Sequence, residues 1–197
     1  MGCPYEDAGL LPRFLEYIPI CFGPMNILIV SSSLNPESRS RELAKMLEAK
    51  YRGEELEVTL IDLQAIQLPF CDGGAAYGDP VVQATKQLVE AADAVAFAGP
   101  IYVYGTNAAQ KNFVELFGRT MEGKLAGFLC AAGGAMSYMA IMPFANALML
   151  DFRMMILPRF VYVTGSDWDG DALKPEVAKR FVQFSDDFVA TAKKLLA

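Results

Sequence analysis

The chain reads as a three-layer α/β domain, a doubly wound five-stranded parallel sheet with helices on both faces. Three observations predict it. Short apolar, β-branched runs alternate with helix-period segments from Ile27 onward. The 197 residues fit one domain, and the 53% apolar content suits strands buried on both faces. Finally, the loops with unusual chemistry follow strands one, three and four, at the strand ends where such sheets bind ligands.

Strand one is Ile27–Val30, four apolar residues running into serines. Helix one follows, with Leu43, Ala44, Leu47 and Tyr51 on one face. Strand two is Glu57–Ile61. A loop holding Pro69, Gly73 and Gly74 leads to a helix over Pro80–Ala91, where Pro80 suits the first turn. Strand three is Ala94–Ala98, stopped by Gly99 and Pro100. Helix three covers Asn107–Met121 and turns Ala109, Phe113, Leu116 and Phe117 to one side. Strand four is Gly127–Ala132. A Met-rich helix spans Tyr138–Asp151, its start open to a shift by Pro143. Strand five is Phe160–Val163, and the last helix carries Val177, Ala178, Phe181, Val182, Phe188, Val189, Ala192 and Leu195 inward. Alternation of this kind builds a parallel sheet.

Composition excludes several chemistries. Histidine is absent, which removes imidazole bases, His-based triads and His metal sites. Cys3, Cys21, Cys71 and Cys130 form no CxxC pair, so no metal site is expected, and Cys130 reads as a small buried hydrophobe. An enzyme without histidine or a metal cluster often relies on a cofactor for its chemistry. The net charge of −6, without a basic run, argues against nucleic acid. No apolar run reaches the roughly 18–20 residues of a membrane span, and the composition reads as cytoplasmic. Residues 1–24 lack a signal-peptide pattern, and Glu6 stands where a myristoylation signal wants Ser or Thr. They are an extension of unknown role before a domain at 25–197.

Loop one, Ser31–Ser40, places hydroxyls between a buried strand and a helix N-terminus. Free first-turn N–H groups and the helix dipole favour an anion there. Neither G-x-G-x-x-G nor G-K-[ST] is present, and no acidic cluster ends the strand. What remains is a mononucleotide phosphate held by Ser32, Ser33, Asn35, Ser38 and Ser40. Loop two reads GPIYVYGT from Gly99 to Thr106. Pro100, Ile101, Tyr102, Val103 and Tyr104 are expected to line a large flat ring, mainly through backbone groups, with Gly105 allowing a sharp turn. Loop three, AGGAMSY from Ala132, holds Gly133 and Gly134, which let backbone approach a ligand.

These loops resemble those of the NAD(P)H-dependent FMN reductases of flavodoxin-like fold. The family's phosphate loop reads Gly-Ser-Leu-Arg-x-x-Ser-x-Asn, against Ser32-Ser33-Leu34-Asn35-Pro36-Glu37-Ser38-Arg39-Ser40. Its ring loop reads Pro-Glu-Tyr-Asn-Gly-Ser, then a helix with Lys-Asn; here Pro100–Thr106 is followed by Lys111-Asn112. Gly133-Gly134 matches the third loop. The resemblance runs from Met25 to Val163. Asn35 replaces the family's arginine, with Arg39 or Arg41 placed to offset the lost charge. Ile101 and Val103 replace polar residues, and one residue is inserted.

The resemblance implies FMN as cofactor, NADPH or NADH as reductant, and a flavin, quinone or other small-molecule acceptor. It also implies pairing into a homodimer or homotetramer through helices beside the flavin. A flavodoxin-like electron carrier without a nicotinamide site is the alternative, and a flavin-free interaction module a third.

Overall fold

The computed structural model describes residues 25–54 and 56–197. Expectations that fall on residues 1–24, Cys3 and Cys21 among them, lie outside it. The β-branched runs form the sheet. Its members are β1 (Asn26–Ser31), β2 (Glu57–Asp62), β3 (Ala94–Tyr102), β4 (Gly105–Thr106), β5 (Leu125–Ala132), β6 (Met155–Ile156) and β7 (Val161–Thr164). The order is β2-β1-β3-β5-β6, with β7 also on β5 and β4 on β3. All pairs are parallel except β3–β4. The crossovers reverse direction at β1, which leaves a switch point between β1 and β3. A separate hairpin, β8 (Trp168–Asp169) with β9 (Ala172–Leu173), precedes the last helix.

Helices cover both faces: α1 (Arg39–Gly53), α2 (Pro80–Glu90), α3 (Ala108–Phe117), α4 (Met142–Phe152) and α5 (Pro175–Leu196). Strand alternation divides the core. Leu28, Val30, Val95, Phe97, Phe128 and Cys130 face α2, α3 and α4, where Phe113, Phe117 and Phe144 pack. Ile27, Ile29, Ala94, Ala96, Ala98 and Leu129 face α1 and α5. The second face is lined by small residues on β3, so the two helices lie close to it.

Four expectations change. β3 runs through Gly99–Pro100 to Tyr102 rather than stopping at Ala98. Ser32 N–H donates to the Ala98 carbonyl, so by alternation Pro100 also faces the β1 side, beyond the last β1 pair at Ser31↔Ala98. Its missing N–H therefore costs no ladder bond. The fifth sheet position is split into β6 and β7 around Pro158. On α5, Val182 and Leu195 are exposed, whereas Phe184 and Ser185 turn inward. Finally, the Met-rich segment begins as a 3₁₀ turn, Ala135–Ile141, with Pro143 in the first turn of α4. Ala135–Phe152 is long and apolar enough, by length and composition, to cross a membrane. Here it is kinked, and Ala140, Ile141, Phe144, Ala145 and Leu148 pack into the core.

Candidate functional site

The first, second and third loops all leave the carboxyl ends of β1, β3 and β5. In the first, each serine has a different job. Ser32 is fully buried, and its Oγ lies 2.8 Å from both Asn107 Oδ1 and Gln110 Oε1. A hydroxyl proton serves one acceptor at a time, and the Ser32 N–H is already bound to Ala98. Ser32 therefore fastens the loop to α3, and its own donors are committed. Gly99 makes room for this contact: a Cβ there would lie 2.3 Å from Gln110 Oε1 and 2.5 Å from Ser32 Oγ.

Ser33 Oγ accepts the Asn35 N–H at 3.3 Å, and its own proton finds no acceptor among the described residues. Ser38 is the N-cap of α1, accepting the Arg41 N–H at 3.2 Å. Its hydroxyl is 2.9 Å from that of buried Ser40, so the pair keeps one proton to give. The exposed Asn35 accepts the Glu37 N–H at 3.0 Å and shapes the turn. The Arg39 and Ser40 amides in the first turn of α1 are left without acceptors among the described residues.

The two arginines expected to offset the lost charge differ in how far they are engaged. Arg39 lies 4.7 Å over the Trp168 ring and 3.4 Å from Asp171. Arg41 is buried against Asp62 and the loop's own carbonyls.

The second loop is a hairpin. Ile101 pairs with Thr106 and Tyr102 with Gly105, so Val103 and Tyr104 form the turn. Their φ angles are 50° and 56°, while Gly105 is not in the left-handed region. The sharp turn thus falls on Val103-Tyr104, not on the glycine. Pro100 and Ile101 are buried, Ile101 within the core; Tyr102, Val103 and Tyr104 are exposed. Tyr104 Oη donates to the Met136 carbonyl at 2.9 Å, joining the second loop to the third.

In the third loop Gly133 and Gly134 are exposed, and a Cβ on either would meet nothing within 4 Å. Tyr162 Oη donates to the Gly134 carbonyl at 2.5 Å and lies 2.7 Å from Ser137 Oγ, which anchors the loop on β7. Cys130, just below, is buried, and burial pushes its thiol up to about 12, which keeps it unreactive. An apolar cleft of about 410 Å³ opens beside the first loop, lined by Leu34, Leu63, Ile66, Leu68, Phe70 and Ala109.

Sequence reasoning missed Asn107 and Gln110, which with Arg41 build the first loop from below. Their signal was weak: polar residues in a helix's first turn look like ordinary surface. The missing glycine fingerprint had already indicated that this loop works through serines and amides.

A family model described as NADPH-dependent FMN reductase matches residues 25–169. The chain belongs to this family. The "NAD(P)H-dependent FAD/FMN reductase" of Geobacillus thermodenitrificans is 28% identical over 149 residues, covering 73% of this chain and 80% of that protein. Among solved structures, an NADH:FMN oxidoreductase in its apo form superposes with a TM-score of 0.73 at 17% identity, covering 85% of this chain and 89% of that one. A flavoenzyme NAD(P)H:(acceptor) oxidoreductase from Paracoccus denitrificans gives 0.72 at 22% identity, covering 86% and 98%. These two share the flavodoxin-like fold. The protein is an NAD(P)H-dependent flavin oxidoreductase with FMN as its cofactor. The first loop fits the FMN phosphate: it presents amides and hydroxyl protons without acceptors among the described residues.

Proposed function

We propose that residues 25–197 hold FMN across the three loops, with the phosphate on the first. Ser33, Ser38, Ser40 and the amides of the first turn of α1 would bind the phosphate. Ser32 and Asn35 would shape the loop around it. Pro100–Tyr104 and Gly133–Gly134 would border the ring, largely through backbone. When bound, FMN would supply the redox chemistry, hydride uptake from NADPH or NADH and electron delivery to a flavin, quinone or other small acceptor. The chain's own task is to orient and shield, since it offers no acid, base or nucleophile there. The observation that carries this reading is the set of unused donors between Ser33 and Ser40, at a helix N-terminus beside the β1–β3 switch point. The apolar cleft at Leu34 and Phe70 supports an organic acceptor.

Two further parts belong to the reading. A homodimer or homotetramer is supported by exposed apolar side chains on the loops of the site, among them Leu34, Phe70, Tyr102, Val103 and Met136. A cytoplasmic location is supported by Cys71 and Cys130, which form no disulfide among the described residues.

Titration of flavin-free protein with FMN and with riboflavin tests the phosphate site. Ser33→Ala and Ser38→Ala each remove one donor to a charged acceptor, worth roughly 1.5–3 kcal/mol, or about 10- to 150-fold in FMN affinity. Riboflavin, without the phosphate, should bind about as before. Equal losses for both flavins would leave these serines as loop scaffolding only. Mixing the FMN-loaded protein with NADPH in the absence of air should bleach the flavin rapidly. A flavin that stays oxidised would favour an electron carrier.

A further inference from the structure

Arg41 has five N–H donors, and all five meet an acceptor inside the protein. Nε donates to Asp62 Oδ2 at 2.7 Å, and Nη2 reaches Asp62 Oδ1 at 3.4 Å. Nη2 also donates to the Ser33 carbonyl at 2.6 Å. Nη1 donates to the carbonyls of Asn35 at 2.5 Å and Pro36 at 3.2 Å. The side chain is 6% exposed. An arginine next to a phosphate loop ordinarily invites a direct ion pair. This one has no donor left for it.

We propose that Arg41 is a positioning residue for the cofactor phosphate, acting through the backbone carbonyls of the first loop and making no contact with the phosphate. The proposal rests on the first loop being the phosphate site. In a trans peptide the carbonyl and the following N–H point in opposite directions. Holding the Ser33 carbonyl on Arg41 therefore turns the Leu34 N–H away from the guanidinium. Asn107 does the same one peptide earlier: its Nδ2 donates to the Ser32 carbonyl at 2.7 Å, which turns the Ser33 N–H outward. The Ser33 and Leu34 amides have no acceptor among the described residues. The Asn35 carbonyl precedes Pro36, which has no N–H, and the Glu37 N–H is taken by Asn35. The Ser32, Ser33, Asn35 and Pro36 carbonyls are thus tied to Asn107 or Arg41, while the Ser33 and Leu34 amides are left outward. Asp62 balances the Arg41 charge, so the pair contributes geometry and little net field.

The test compares FMN and riboflavin dissociation constants for the full-length, flavin-free protein and its Arg41→Lys and Asp62→Asn variants, with thermal stability measured alongside. Lysine keeps the charge but has three donors in place of five, too few for the three carbonyls and both Asp62 oxygens together. Asp62→Asn is nearly isosteric and removes a negative charge. If Arg41 bound the phosphate, freeing it from Asp62 would leave FMN binding unchanged or tighter. The positioning role predicts the opposite: FMN weakened about ten- to hundredfold in both variants, with riboflavin changed less than about threefold. FMN affinity retained or raised in Asp62→Asn would overturn the proposal. So would a parallel loss of both flavins, which would mark Arg41 as a general fold residue. Should Arg41→Lys fail to fold, the Asp62→Asn ratio decides alone. A parent protein that does not distinguish FMN from riboflavin would instead refute the phosphate site itself, a separate failure.

Discussion

Val103 is β-branched, fully exposed, and held at a φ of 50°, with Tyr104 beside it at 56°. Two successive positive φ values between paired strands make a type I′ turn, which Asn-Gly fills without strain. A non-glycine residue held there costs on the order of 1–3 kcal/mol, and such strain clusters at functional sites. The side chain of Val103 buries nothing, so replacing it loses no packing. Val103→Asn should therefore stabilise the protein by on the order of 1 kcal/mol, a rise of about 2–4 °C in Tm. An unchanged or lower Tm would show that the turn carries no strain. Proline at this position is excluded by its own φ near −65°. The turn was hidden in the sequence because Val-Tyr is not turn chemistry, and the adjacent Gly105 drew the reading to itself. The serines show the same limit. A hydroxyl-rich loop was legible, but which hydroxyl faces a ligand depends on partners such as Asn107 and Gln110, 75 and 78 residues away from Ser32.

Elements with a narrow apolar stripe were legible, and elements with a broad one were not. On α1, Leu43, Ala44, Leu47 and Tyr51 are all buried as the period predicts. The 22 residues of α5 carry apolar side chains over a wider arc, and the reading took in Val182 and Leu195, which face solvent. The buried stripe is Val177, Phe181, Phe184, Phe188 and Ala192. Its phase is fixed by tertiary contacts. The Tyr51 hydroxyl of α1 donates to the Ser185 carbonyl at 3.0 Å, and burial raises that phenol far above its ordinary value. Phe184 and Phe188 stack at 5.9 Å over β5, where Gly127 leaves them room. A Cβ on Gly127 would lie 2.8 Å from the Phe188 ring and 2.9 Å from that of Phe184. Gly127→Val should thus destabilise by about 1–3 kcal/mol, the cost of overpacking. Adding Phe188→Leu should recover part of the loss in denaturant unfolding. If the double variant is simply the sum of the two single losses, the two sites do not share this space.

The whole molecule was the most legible scale, because alternation and crossover handedness leave few topologies open. What the sequence could not show is how the loops of different strands combine into one surface. Leu34 follows β1, Phe70 follows β2, Val103 lies at the tip of the β3–β4 hairpin, and Met136 follows β5. Phe70 is 82% exposed and Met136 87%. Monomers rarely leave apolar surface of more than a few hundred Å² uncovered, and larger patches mark binding or association sites. A second copy of the chain, laid over the cofactor end, would cover these side chains and shield the ring from water. The prediction is that the FMN-loaded protein sediments as a dimer or tetramer at micromolar concentration. Phe70→Glu should shift it toward monomer while leaving Tm close to the parent's, since an exposed substitution usually changes stability by no more than about 0.5 kcal/mol. FMN content, read from absorbance on the same samples, separates loss of association from loss of cofactor. A parent that sediments as a monomer, or a Phe70→Glu variant with the parent's mass, would mean that this surface serves the acceptor alone.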